Sequence, residues 1–392
     1  MCIRPFTLAI TDEQLSDLHQ RLRYSRLPDS LNPCSWEDGV SAGFMEHVLD
    51  YWCNHFDWRT QEQRINRLPQ FMTEVEGQTI HFVHQRGAGP QPMPLVVTHG
   101  WPGSFLEMER LLPLLTDPAA HGGDPADAFD VVVPSLPGYG SSPAPSREGT
   151  GAREIAGLWK QLMGRLGYER FGAQGGDIGA GVSMWLARDH EAQVIGAHLN
   201  YIPGSYRPGL REGEATWSPQ EQEFLDRSSR FAATEGAYAA LHSTKPQTLA
   251  FALADSPLGL AAWMMEKFHA WIDHPDDLEQ VVSLDTLLTD ISLYWFSGSL
   301  QASLRLYKEN RQNPLVFQPA ERVTPPLGVT LFPKELPMPP RSWVARVFDV
   351  THWEHAAAGG HFAALEQPEM LARQIRTFFR PLRQQGGKTF DQ

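Results

Sequence analysis

The 392-residue chain predicts an α/β fold with a mainly parallel central sheet, an inserted helical lid and an N-terminal helical extension. Three observations carry this. Short apolar runs between residues 71 and 199 alternate with helical stretches, each run ending in a Gly- or Pro-rich loop, as strands feeding parallel crossovers do. The strand signal then vanishes between about 203 and 320. Finally, one carboxylate sits between small residues at a strand-to-helix junction, in Gly175-Gly176-Asp177-Ile178-Gly179.

The elements follow in order. Thr11 is placed to cap a helix carrying Leu15, Leu18 and Leu22 on one face. A second helix is expected over 36–57, with Phe44, Val48 and Trp52 as a buried stripe. Residues 71–75 and 79–83 alternate as a β-hairpin about Gly77. Strands are then expected at 95–98, 129–133, 169–173 and 194–199, with helices over 153–166 and after Asp177. Segments such as 260–268 mark the insertion as helical and rich in Trp, Met and Phe, and strands resume at 328–332 and 344–349. The expected organisation is an extension with the hairpin over 1–85, core over 86–202, lid over 203–321 and core again over 322–392. The polar end, 384–392, is expected to fray.

Composition excludes several function classes. The chain is 42% hydrophobic and 20% charged, ordinary for a globular protein. Net charge is −13 without a basic cluster, which argues against nucleic acid or an anionic membrane as partner. Cys2, Cys34 and Cys53 form no metal or disulfide pattern, consistent with a reducing, cytoplasmic compartment. No signal-peptide pattern opens the chain and no apolar run reaches spanning length, so no membrane anchor is expected.

The Gly175–Gly179 pentapeptide has the form of a nucleophile elbow, where small flanks let strand and helix pack closely and the central residue is held out in a strained conformation. That pattern assigns the α/β-hydrolase fold. Serine is usual at the centre; here it is Asp177. A carboxylate is already ionised at neutral pH and needs no activating base. Attack on an ester would give an anhydride that reverses, so Asp177 suits saturated carbon, as in an epoxide or an alkyl halide.

Hydrolysing the resulting ester needs a base, an acid to orient it and donors for an oxyanion. This fold orders them nucleophile, acid, base. His361, in Gly359-Gly360-His361-Phe362, follows the last expected strand and is the candidate base. His352 and His355 read as surface-loop residues, and no ligand set completes a metal site around them; no cofactor is expected. Glu335, in the loop after 328–332, is the candidate acid; Asp349 and Glu354 compete on chain order but fall on or after the final strand. The backbone N–H groups of Trp101, in His99-Gly100-Trp101-Pro102, and Ile178 are the expected oxyanion donors, and Trp101-Pro102 is a candidate for a cis bond. An epoxide also needs an acid for its ring oxygen, which a lid phenol would supply. Tyr201, Tyr206, Tyr238, Tyr294 and Tyr307 are available, and their spacing does not choose between them.

Taken together, His99-Gly100-Trp101-Pro102-Gly103-Ser104, Gly175-Gly176-Asp177, the 255–262 stretch and Gly359-Gly360-His361-Phe362-Ala363-Ala364 resemble the microsomal-type epoxide hydrolases. That group includes the juvenile-hormone epoxide hydrolases and bacterial relatives, and the resemblance covers nearly the whole chain. It implies Asp177 as nucleophile, His361 as base, Glu335 as acid, and Tyr238 and Tyr307 as the pair that activates the epoxide. It implies a small apolar epoxide and water as substrates and a vicinal diol as product. Two departures stand out: the animal proteins carry an N-terminal membrane anchor, and many have Trp where this chain has Ile178. Two other readings are a haloalkane dehalogenase, which would use halide-binding Trp or Asn donors, and a non-catalytic lipid- or hormone-binding relative. Oligomeric state and the preferred epoxide are not encoded in any motif.

Overall fold

The Thr11 cap forms as the sequence predicts. Its hydroxyl accepts the Gln14 N–H, and Gln14 Oε1 accepts the Thr11 N–H, so α1 (Asp12–Arg23) starts with two of its free donors satisfied. The second helix starts later than expected: Ser41 caps it, and α2 covers Ala42–Asn54. Trp36 lies outside α2, stacked on His269 at 3.6 Å. A third helix, α3 (Trp58–Ile65), completes the extension. The computed structural model describes residues 2–383 except 211, 212, 215 and 276; the expectation of a frayed 384–392 lies outside the described residues.

The sheet has nine strands: β1 (Arg4–Pro5), β2 (Gln70–Val75), β3 (Gln78–Gln85), β4 (Met93–Thr98), β5 (Phe129–Pro134), β6 (Phe171–Gly175), β7 (Val194–Leu199), β8 (Val323–Leu331) and β9 (Phe348–His355). Their order is β1-β2-β3-β5-β4-β6-β7-β8-β9. The hairpin end pairs antiparallel, and everything from β5 to β9 pairs parallel. The parallel strands β4, β5 and β6 are almost wholly buried, because α4 (Leu111–Thr116), α5 (Ala152–Arg165) and α6 (Asp177–Asp189) help to cover the sheet.

One strand is misplaced in the sequence reading. Residues 341–344 form a turn of helix, α13 (Arg341–Val344), and β9 begins only at Phe348. Pro339 and Pro340 hold the chain extended up to that turn. Asp349, His352, Glu354 and His355 therefore all lie on β9, and the histidines are strand residues rather than loop residues; His352 pairs with Gln374.

The lid inserts between β7 and β8 as six helices: α7 (Pro219–Thr234), α8 (Ala237–Thr244), α9 (Pro246–Leu253), α10 (Pro257–Trp271), α11 (Leu284–Ser297) and α12 (Leu300–Gln312). Its first helix is tied to the core by a bidentate pair: Arg346 Nε and Nη2 donate to Glu221 at 2.9 and 2.8 Å, with both side chains buried. Two further helices, α14 (Ala363–Glu366) and α15 (Pro368–Arg383), end the described residues. No single helix among the described residues is long and apolar enough to cross a membrane.

Candidate active site

Asp177 stands where β6 turns into α6, with φ of +46°. This left-handed conformation costs a non-glycine residue about 1–2 kcal/mol. The close approach that imposes it is visible at the flanks. A Cβ on Gly179 would lie 2.0 Å from the Thr98 carbonyl oxygen, so β4 and α6 touch through that glycine. Another glycine makes room for the carboxylate itself: a Cβ on Gly100 would lie 2.1 Å from Asp177 Oδ1. That gap lets the Trp101 N–H donate to Asp177 Oδ1 at 2.8 Å. The Trp101–Pro102 peptide is cis. Ile178 is the next residue of α6, and its N–H belongs to the first helical turn, where backbone donors have no partner within the helix.

The second oxygen, Oδ2, faces His361 Nε2 at 3.5 Å, and His361 Nδ1 lies 2.6 Å from Glu335 Oε1. The nucleophile candidate, the base candidate and the acid candidate thus form one chain of contacts drawn from three strand ends. Asp349 and Glu354, on β9, are not the carboxylates that meet His361. Burial of the imidazole disfavours its charge, but the Glu335 and Asp177 carboxylates outweigh it and hold the pKa well above the usual histidine value.

Two residues absent from the sequence reading complete this region. Glu366 accepts the N–H groups of Asp273, Gly360 and Phe362 at 2.7, 2.8 and 2.9 Å, bracing the His361 loop on three sides. Glu107, in the turn after β4, lines a small cavity with Asp177, His361, Gln174 and Asn200. Burial, then the charge of Asp290, raises its pKa well above the ordinary carboxylate range. The cavity measures about 20 Å³, enough for a single water. The available signal for Glu107 was its place four residues after Gly103; a Cβ there would collide with the Glu107 carboxylate at 1.6 Å.

The front of Asp177 opens on a separate cavity of about 570 Å³, lined by Ile178, Trp185, Tyr201, Phe231, Tyr238 and Tyr307 among others. Tyr238 comes from α8 and Tyr307 from α12, their ring centroids 5.9 Å apart and nearly perpendicular. Burial raises both phenols, and the Asp177 charge adds to it in each case, so both stay protonated at neutral pH. The other lid candidates are spent elsewhere. Tyr294 donates to the Gly103 carbonyl at 2.7 Å and Tyr206 to Trp343 and Val344 carbonyls at 3.2 Å. Tyr201 reaches the cavity but packs edge-on to His361 at 5.6 Å. A larger groove, about 770 Å³, runs between α1, α9 and α11 and contains none of the triad candidates or the Tyr238–Tyr307 pair.

Residues 3–108 match the family model described as the epoxide hydrolase N terminus, and residues 93–247 match the alpha/beta hydrolase fold. The chain is 38% identical over 407 residues to epoxide hydrolase 1 of Sus scrofa, covering 98% of this chain and 90% of the pig protein. Among solved structures it is similar to the Aspergillus niger epoxide hydrolase, with a TM-score of 0.84, 34% identity and 97% of each chain covered. It is similar also to the juvenile hormone epoxide hydrolase of Bombyx mori, with a TM-score of 0.84, 26% identity, and 98% and 96% of the two chains covered.

Proposed function

This chain belongs to the epoxide hydrolase family, and from that premise we propose that it opens its epoxide through a covalent ester on Asp177. The activity itself, epoxide and water to a vicinal diol, follows from membership. The roles of the individual residues are our reading of the geometry.

In the first step an Asp177 oxygen attacks one epoxide carbon from the face opposite the breaking C–O bond. Tyr238 and Tyr307 supply hydrogen bonds, and a proton, to the departing oxygen. In the second step His361, oriented by Glu335, takes a proton from water as the water oxygen attacks the ester carbonyl carbon. The Trp101 N–H, already on the Asp177 oxygen at 2.8 Å, and the Ile178 N–H stabilise the resulting oxyanion. The one-water cavity beside Glu107 supports the position of that attacking water.

Charge orders the two steps. In the resting site His361 faces two carboxylates, which favour its protonated form. Esterification neutralises Asp177, removes one of them and lowers the imidazole pKa, so the base becomes competent only once there is an ester to cleave.

The observation that carries this reading is the placement of two phenols and one carboxylate on a single cavity. A dehalogenase would need halide donors there instead. The aromatic and aliphatic lining around Ile178, Trp185 and Phe231 favours an apolar epoxide. We also infer a reducing, cytoplasmic setting from three unpaired cysteines. Incubation with styrene oxide and with 1-chlorobutane tests the reaction: diol should form from the epoxide, and chloride release without diol would favour the dehalogenase.

A further inference from the structure

The two phenols are not equivalent. Lys267 of α10 is 6% exposed, unusual for an ammonium. Its Nζ lies 4.9 Å from the Tyr238 ring centroid and 5.7 Å from that of Trp271. Glu266 Oε2 at 2.7 Å and Glu235 Oε2 at 3.9 Å hold it there. Trp101 stacks nearly parallel to Tyr238, 5.5 Å away at 12°. Among the described residues no ammonium or guanidinium lies over the Tyr307 ring. Its neighbour His242, 4.9 Å away, is neutral, because burial and then the Lys267 charge bring its pKa down to about 3.

A cation against an aromatic face is attracted to the ring's negative quadrupole. That attraction grows when the phenol gives up its proton, because the negative charge spreads from oxygen into the ring. A cation placed this way therefore favours phenolate over phenol. We propose that Lys267 is a positioning residue for ring opening, its ammonium against Tyr238 making Tyr238, rather than Tyr307, the phenol that transfers its proton to the epoxide oxygen. The proposal rests on the epoxide-opening reading above.

The step balances. The Asp177 O–C bond forms, the epoxide C–O bond breaks, and its electron pair goes to oxygen. The Tyr238 proton moves to that oxygen, leaving a Tyr238 phenolate in place of the Asp177 carboxylate. Tyr307, its ring centroid 5.9 Å from that of Tyr238, is the neighbouring phenol and keeps its proton. Water then cleaves the ester: His361 takes one water proton and passes it to the diol oxygen that leaves Asp177, and the second, released as Asp177 returns to carboxylate, restores Tyr238 through solvent.

The groups that bear on Tyr238 titration are Asp177 from α6, Tyr307 from α12, Tyr201 after β7, His242 on its own helix, and Lys267 and Glu266 from α10, with Glu235 facing Lys267. Burial, and then the charges of Asp177 and Glu266, hold the proton on; in this proposal the Lys267 ammonium opposes them.

The test pairs stopped-flow measurement of alkylation and of ester hydrolysis with ultraviolet difference titration of tyrosine, using Tyr238→Phe to identify the Tyr238 transition. Lys267→Met should slow alkylation about tenfold, leave ester hydrolysis unchanged and move the Tyr238 transition to higher pH, and Lys267→Arg should restore most of both. The loss should shrink for styrene oxides carrying electron-withdrawing ring substituents, whose oxygen leaves with less acid help. Glu266→Gln, which keeps the ammonium, should move the Tyr238 transition down. An unmoved Tyr238 transition in both variants, or an equal slowing of both steps by Lys267→Met, would overturn the proposal. Absence of diol from the unmodified enzyme would overturn epoxide hydrolysis instead, while the titration would still read the effect of Lys267.

Discussion

His361 Nε2 stands 3.5 Å from Asp177 Oδ2, too long for a strong hydrogen bond and close enough to share a water. The same imidazole is held at 2.6 Å by Glu335. The tight contact fixes the ring, and the loose one leaves room at the carboxylate that we propose as nucleophile.

Replacing the proposed base should separate the two proposed steps. His361→Gln should alkylate at a rate near that of the unmodified enzyme and then stall, because ester hydrolysis loses roughly 10²–10⁴-fold. Intact-protein mass spectrometry should find the substrate mass added to the chain, on the peptide containing Asp177. An unmodified protein after exposure to epoxide would contradict the assignment.

The pH dependence has a defined sign. In the proposed mechanism His361 acts as base only when neutral, so ester hydrolysis should rise with pH and then level off. Glu335 and Asp177 raise its pKa in the resting enzyme, and esterification removes the Asp177 share. Histidine NMR titration of the resting enzyme should therefore give a higher midpoint than the kinetic midpoint for hydrolysis. Equal midpoints would mean that the Asp177 charge does not gate the base.

The lid phenols separate the two Asp-nucleophile chemistries. Tyr238→Phe combined with Tyr307→Phe should lower diol formation at least about a hundredfold, the lower end of general-acid contributions, without disturbing the fold. Little loss would mean that the leaving group needs no phenol, as for halide.

Glu366 makes a structural prediction. It satisfies three backbone N–H groups of the His361 loop and its support, and each donor left unpaired costs about 1–3 kcal/mol. Glu366→Ala should lower unfolding stability by about 3 kcal/mol or more and slow ester hydrolysis more than alkylation, read by denaturant melts and burst kinetics. A variant equal to the parent in both would show that the brace is redundant.

What was legible in the sequence was what local chemistry decides. Alternation about Gly77 gave the hairpin, Thr11 the cap, and small residues around Asp177 the elbow. Position in chain order was enough to expect His361 and Glu335 side by side, as they lie at 2.6 Å, because the fold brings strand ends to one edge of the sheet. Tyr238 was beyond reach of periodicity: α8 carries it on a buried face, where an aromatic signals packing as readily as chemistry. Glu107 and Glu366 were missed for a related reason, since an isolated glutamate beside a loop reads as solvated until tertiary structure buries it. The 344–349 strand failed because an apolar run of that length fits a helical turn and a strand equally well, and the preceding prolines decided it.

The central claim is that Asp177 forms a covalent ester with the substrate, and the origin of the diol oxygen tests it directly. A single turnover of excess unlabelled enzyme with epoxide in H₂¹⁸O should give unlabelled diol, because the new oxygen comes from the Asp177 carboxylate. Labelled diol in that first turnover would mean direct attack by water and would contradict the account.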